Sequence, residues 1–145
     1  MKKFNIRVYG ILINPKNEVL VSDEKRNGFE FTKFPGGGLD WGEGTIECLK
    51  REFLEELNLK IEIESLFYLT DFFQISGFNE DDQLISFYYK ISCENWKEIN
   101  TTVDKIHEEK IEHHRWISIS ELTAFDLNFP IDKFIVSKIK QLVDF

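Results

Sequence analysis

The sequence predicts an α/β fold with a mixed β-sheet, and three observations carry that prediction. Short β-branched and aromatic runs lie on both sides of one helical stretch. That stretch is amphipathic, with Ile46, Leu49, Phe53 and Leu57 at core-facing spacing. A second amphipathic stretch, residues 131–143, closes the chain with Ile135, Ile139 and Leu142 as its expected buried stripe. A length of 145 residues suits one domain, 1–145, with a sizeable core. No repeat, low-complexity segment or linker interrupts it.

Taken in order, residues 4–14 read as a strand, 14–17 as an Asn-Pro-Lys-Asn turn and 19–21 as a second strand, which together predict an early hairpin. Arg7 points from the first strand, and Lys25 and Arg26 follow the second; each reads either as solvated surface charge or as a contact to phosphate. Residues 28–33 read as a loop leading to Phe34-Pro35-Gly36-Gly37-Gly38. Those glycines form either a tight turn or a place where backbone approaches a ligand closely. Gly44 falls at the expected helix N-cap. After the helix, 60–64 alternates as a strand does, 66–75 is rich in aromatics, 77–82 is an acidic turn and 84–91 is another strand. Most of these aromatics read as core and cross-strand pairs, and Phe78 is a candidate for stacking on a base. Residues 96–104 read as a surface loop, Trp116 and Ile117 as a strand, and Ser118 or Ser120 as the cap of a helix around Glu121.

The helix carries Arg51, Glu52, Glu55 and Glu56 close together. Helical spacing puts the three carboxylates on one face, about a third of a turn from the apolar stripe. Like charges there repel by a few tenths of a kcal/mol per pair, roughly. Glu55 and Glu56 also sit in the last turn, where the helix dipole favours cations. Arg51 offsets one charge. A hard divalent cation with oxygen ligands is the natural compensator for the rest.

These residues also resemble a known box. Gly37, Glu43, Arg51, Glu52, Phe53, Glu55, Glu56 and Leu59 stand at the offsets of the Nudix hydrolase motif, over 23 of 145 residues. Asn58 replaces the family's glycine near the helix end, and Asn is the next-best residue in the left-handed conformation. The resemblance implies an α/β/α sandwich with a mixed sheet. It implies metal-dependent hydrolysis of a nucleoside diphosphate linked to another moiety, with Mg²⁺ as the ion and Mn²⁺ as a substitute. It further implies that Glu52, Glu55, Glu56 and the Gly36 carbonyl hold metal, and that Gly37, Glu43 and Arg51 brace the loop against the helix. The family places a further carboxylate ahead of the late Trp; Glu109 is the choice, with Glu108 and Glu112 beside it, and Glu52 and Glu109 compete as the catalytic base. Arg7, Arg26, Phe78 and Asn128 are the candidates for substrate contact. Asn128-Phe129-Pro130 is similar to a segment of Nudix enzymes that sanitise oxidised guanine nucleotides, which suggests a purine nucleoside triphosphate; the alternative is a turn before a proline-started helix. A non-catalytic nucleotide-sugar-sensing module and a diphosphate isomerase are the rival uses of this fold. The first would be expected to lose box carboxylates that are present here, and the second usually has a longer chain and a catalytic cysteine.

Composition narrows the partners. Eighteen Lys and Arg against 26 Asp and Glu give a net charge of −8, which disfavours a nucleic-acid polymer or an anionic membrane and leaves a small-molecule nucleotide. Cys48 and Cys93 form no disulfide pattern, and the N-terminus lacks a secretory signal, so a cytoplasmic setting is expected, as a monomer or homodimer. His107, His113 and His114 lack the spacing of a structural zinc site.

Overall fold

The computed structural model describes residues 1–107 and 110–143, without the side chains of His107 and Val143. In chain order these residues form strands β1 (Lys3–Leu12), β2 (Glu18–Arg26), β3 (Phe29–Lys33) and β4 (Gly36–Gly38), helix α1 (Thr45–Leu57), strands β5 (Glu62–Leu69), β6 (Asp82–Ser92), β7 (Lys105–His107) and β8 (Lys110–Ser118), and helix α2 (Pro130–Val143). They divide into two compact units interleaved in sequence: Met1–Leu12 with Gly36–Asn95, and Ile13–Pro35 with Trp96–Phe145. No described helix is long and apolar enough to cross a membrane.

The first unit holds a mixed sheet in the order β4-β1-β6-β5. Central β1 runs parallel to β6 from Lys3↔Asp82 to Leu12↔Ile91, and antiparallel to β4 with Tyr9↔Gly36 and Val8↔Gly37. The parallel pair needs a long crossover, and α1 lies within it. Helix α1 buries Cys48, Leu49 and Phe53. Gly10 makes that packing close: a Cβ there would lie 2.7 Å from Ile91 Cδ1 and 3.0 Å from the Phe53 ring. Ile46, expected in the buried stripe, is 43% exposed, and Cys48 is buried in its stead. The helix begins after Gly44, whose N–H donates to Glu47 Oε1 at 3.0 Å. It ends at Asn58 with φ 50° and ψ 43°, the left-handed cap that the sequence predicts.

The second unit holds an antiparallel sheet in the order β3-β2-β8-β7. The early hairpin is corrected here, because β1 and β2 belong to different sheets. The Asn14 turn does form: Asn14 Oδ1 accepts the N–H groups of Lys16 and Glu18, at 2.9 and 3.1 Å. Residues 28–33 are also corrected, since Phe29–Lys33 is a strand paired with β2 from Arg26↔Phe29 to Ser22↔Lys33. Asn27 and Gly28 both have positive φ, 51° and 80°, the backbone of a two-residue hairpin turn. No helix forms around Glu121; a 3-10 turn follows at Ala124–Asp126. Helix α2 buries Ile131, Ile135, Val136 and Ile139, whereas Leu142 is 45% exposed near the helix end.

Candidate active site

The box residues of the first unit converge on one guanidinium. Arg51 Nη2 and Nε donate to the two oxygens of Glu43 at 2.7 and 2.9 Å, a bidentate pair. Its Nη1 donates to Glu52 Oε1 at 3.0 Å and Glu55 Oε2 at 3.2 Å, and Nη2 also reaches the Gly38 carbonyl at 3.3 Å. Asp40 Oδ2 lies 3.4 Å from Nη2. Helical spacing supplies this geometry, because Arg51 and Glu55 are one turn apart on α1 and Glu43 lies in the loop that enters it. The hydrogen bonds from Arg51, joined by the Asp40 N–H, hold the Glu43 carboxyl down at about 2. The same pairing raises the Arg51 pKa above its ordinary value.

Glycine brings the strand to the acids. A Cβ on Gly37 would lie 2.5 Å from the Glu52 carboxyl carbon, so that carboxylate packs directly on the backbone of β4. Gly36, with φ 150°, sits so close to β1 that a Cβ would meet the Val8 carbonyl oxygen at 2.1 Å. Glu52 is largely covered, at 14% side-chain exposure, and Glu55 is open at 60%. Glu56 is half-buried one turn beyond Glu52. The last turn of α1 has no basic residue, so the dipole leaves this acidic end uncompensated within the helix. Cys48 is packing rather than chemistry: burial, with Glu43 beside it, pushes the thiol up to about 12.

The remaining predicted contacts are divided between the units. Arg7 lies on β1 opposite Gly38, with its Nε donating to the Tyr9 hydroxyl at 3.1 Å, and Phe78 is 48% exposed. In the second unit, the Arg26 guanidinium carbon lies 5.9 Å from the centroid of the Phe31 ring. Asn128 Oδ1 accepts the Thr32 N–H at 2.7 Å, which engages one acceptor position of the amide whose two-way purine contact the sequence suggests. Asn128 lines a cavity of about 450 Å³ together with Asp23, Lys25, Phe31, Thr32 and His113. Glu108 and Glu109, the latter the predicted further carboxylate, lie outside the described residues. Glu112 is described: it is 1% exposed on β8, with Oε1 accepting from Lys110 Nζ at 2.6 Å.

The second unit also contains a buried polar set that sequence reasoning missed. Glu24, Lys33, Glu112 and His114 are all at least 96% buried. Strand alternation could have signalled it, since Ser22, Glu24 and Arg26 on β2 oppose His114, Glu112 and Lys110 on β8. Burial alone would raise the Glu24 pKa, but Lys33 and Lys110 overcome it and hold the carboxyl below its ordinary range. Burial pushes His114 down to about 4.

A family model described as the NUDIX domain matches residues 3–137. No curated protein matches the chain. Among solved structures, a NUDIX hydrolase from Nitrosomonas europaea is 21% identical with a TM-score of 0.71, covering 94% of this chain and 88% of its own. A MutT NUDIX hydrolase from Burkholderia pseudomallei is 15% identical with a TM-score of 0.72, covering 94% and 98%. A DNA mismatch repair protein MutT from methicillin-resistant Staphylococcus aureus 252 is 24% identical with a TM-score of 0.64, covering 98% and 99%. At these identities the likeness is one of fold.

Proposed function

The chain belongs to the Nudix family of pyrophosphohydrolases, and we propose that it hydrolyses, with a divalent metal, a nucleoside diphosphate linked to a further group. The observation that carries this reading is the Arg51 fork, which gathers Glu43, Glu52 and Glu55 while Gly37 admits the Glu52 carboxylate to the β4 backbone. Oxygen donors only, from Glu52, Glu55, Glu56 and the Gly36 carbonyl, suit Mg²⁺, with Mn²⁺ as a substitute. When bound, the ion would polarise phosphoryl oxygens and acidify water.

The chain's own residues do the rest. Glu52 or Glu109 accepts the proton of the attacking water. Arg51 holds Glu52 and Glu55 in place and is itself held by Glu43, so the acids keep their geometry before substrate arrives. Arg7, Arg26, Phe78 and Asn128 contact the nucleotide, with a purine or oxidised guanine nucleoside triphosphate as the proposed substrate. The chain acts as one domain on a small molecule.

The test is hydrolysis across nucleoside triphosphates, nucleotide sugars and dinucleoside polyphosphates with Mg²⁺ or Mn²⁺, products being resolved by chromatography, for the wild type and Glu56→Gln. Metal-dependent turnover is expected, with most of it lost in the variant. Mg²⁺ at a hundredfold excess over its dissociation constant should stabilise the wild type by about 2.7 kcal/mol, and the variant clearly less. No turnover on any substrate, or a variant that matches the wild type in both readouts, would overturn the reading.

A further inference from the structure

Asp82 opens β6 at 6% exposure, and its Oδ1 is buried without a hydrogen-bond partner. Its backbone is satisfied: the N–H donates to the Asn79 carbonyl and the carbonyl accepts from Ser76, both at 3.0 Å. Only the side-chain oxygen is left over, and buried polar atoms are almost always paired, so this one calls for a donor from outside the chain. The other oxygen accepts from Asn5 Nδ2 at 3.3 Å, a long bond to a half-buried amide. In-register residues of paired strands share a face, so Asp82, Leu84 and Ser86 lie on one side of the first unit's sheet with Lys3, Asn5 and Arg7. Gly38 stands opposite Arg7 on the edge strand β4, and a Cβ there would lie 3.2 Å from Arg7 Nη1. Glu52 packs on the neighbouring Gly37, on the other face of that strand. A diphosphate lying over the β4 edge therefore reaches the acids of α1 while its nucleoside lies along the Arg7 face. Ser86, the partner of Arg7, is four residues from Asp82, about 13 Å along the strand, the scale of a nucleotide from phosphate to base.

We propose that Asp82, with Asn5, reads the base of the substrate and selects guanine over adenine. The pair adds base selection to the proposed hydrolysis, on which it rests. Among the common nucleobases only guanine presents two adjacent N–H donors, at N1 and N2, on its pairing edge, and a carboxylate accepts both. Adenine brings a bare N1 acceptor to the same place, so two acceptors would face each other unpaired. Asn5 is the way in. Its amide turns from Asp82 to the ligand, and the N–H it lends to the carboxylate passes to guanine O6. Leu84, half-buried and in register with Asn5, gives the ring an apolar floor. Arg7, at the other end of the row, meets the phosphates. An oxidised guanine keeps the same pairing edge, so the pair reads the base and not its oxidation.

The experiment compares hydrolysis of guanosine, inosine, xanthosine and adenosine triphosphates by the wild type and Asp82→Asn. Calorimetric binding of the four monophosphates in EDTA accompanies it and reads selection apart from turnover. The wild type should favour guanosine over adenosine triphosphate by roughly 100-fold or more in kcat/KM. Inosine triphosphate, which lacks the N2 donor, should fall roughly tenfold below guanosine triphosphate. Asp82→Asn should exchange the guanosine preference for xanthosine, because an amide N–H donates to the carbonyl that xanthine carries at C2. Guanosine monophosphate bound in preference to adenosine monophosphate, with no turnover of any nucleotide, would sink the hydrolysis and leave the base reading standing. A wild type that treats guanine and adenine alike in both assays, or a folded Asp82→Asn that keeps the wild-type order, would overturn the proposal. The wild-type comparison stays decisive even where the variant does not fold.

Discussion

Gly37 and Glu52 meet at a distance that leaves room for a hydrogen and not for a methyl group. In Gly37→Ala the added Cβ would lie 2.5 Å from the Glu52 carboxyl carbon, so one of them must move. The carboxylate is the end of a flexible side chain, whereas Gly37 is fixed by pairing with Val8. Glu52 should therefore yield, by about an ångström. For the catalytic role proposed for Glu52, such a shift costs on the order of 10²-fold in rate. The expected result is a large loss of kcat with a melting temperature close to wild type. A variant that melts much earlier and retains its specific activity would show that the glycine serves the strand and not the acid. Gly36 differs in kind: its obstacle is the Val8 carbonyl oxygen, which is backbone and cannot turn aside.

Helix α1 is stopped by conformation. Asn58 sits in the left-handed region, with its N–H donating to the Leu54 carbonyl at 3.0 Å, and Leu59 then turns back to bury itself at 4% exposure. Alanine pays roughly 1–2 kcal/mol in that conformation. Asn58→Ala should thus lose about 1 kcal/mol of stability and Asn58→Gly none, as read from urea denaturation midpoints at constant m. Equal midpoints for the two variants would mean that the cap conformation contributes nothing. Strand β3 illustrates the opposite situation. Its Asn27-Gly28 turn is a strong local hairpin signal, yet Phe29-Glu30-Phe31-Thr32-Lys33 alternates aromatic and polar residues too briefly to stand out from a loop. What completes the strand is the partner β2, where Lys33 Nζ finds Glu24 Oε2 at 3.1 Å.

Acid should destabilise the protein in two stages. His114 is held neutral by burial, with its pKa lowered from 6.5 to about 4. Between those values the unfolded chain binds a proton that the folded chain refuses, so stability is full above pH 6.5 and falls as the pH drops towards 4. The shift corresponds to about 3 kcal/mol. Glu24, lowered from 4.5 through Lys33 and Lys110, adds a further loss as it protonates below that value. Urea unfolding in EDTA at a series of pH values should show this descent, and His114→Gln should flatten the portion between 6.5 and 4. A wild-type stability that is level across that window would contradict the buried neutral imidazole.

The box was legible because its chemistry is local. Arg51, Glu52, Glu55 and Glu56 lie within six residues on one helix, so the 3.6-residue period alone places them together. Gly44 as the start and Asn58 as the end follow from backbone preferences that need no partner. Ile46 and Leu142 were misjudged because periodicity names a face without saying how far a neighbour covers it. The β1–β2 hairpin failed for a related reason: adjacent strands usually pair, and only the assembled sheets show that β1 takes β6, more than seventy residues away, as its parallel partner. The buried set of Glu24, Lys33, Glu112 and His114 is only partly legible in the chain. Strand alternation puts Glu24 on one face of β2 and Glu112 with His114 on one face of β8, but their burial together arises from the register of β2 against β8, a long-range pairing that no short stretch of sequence encodes.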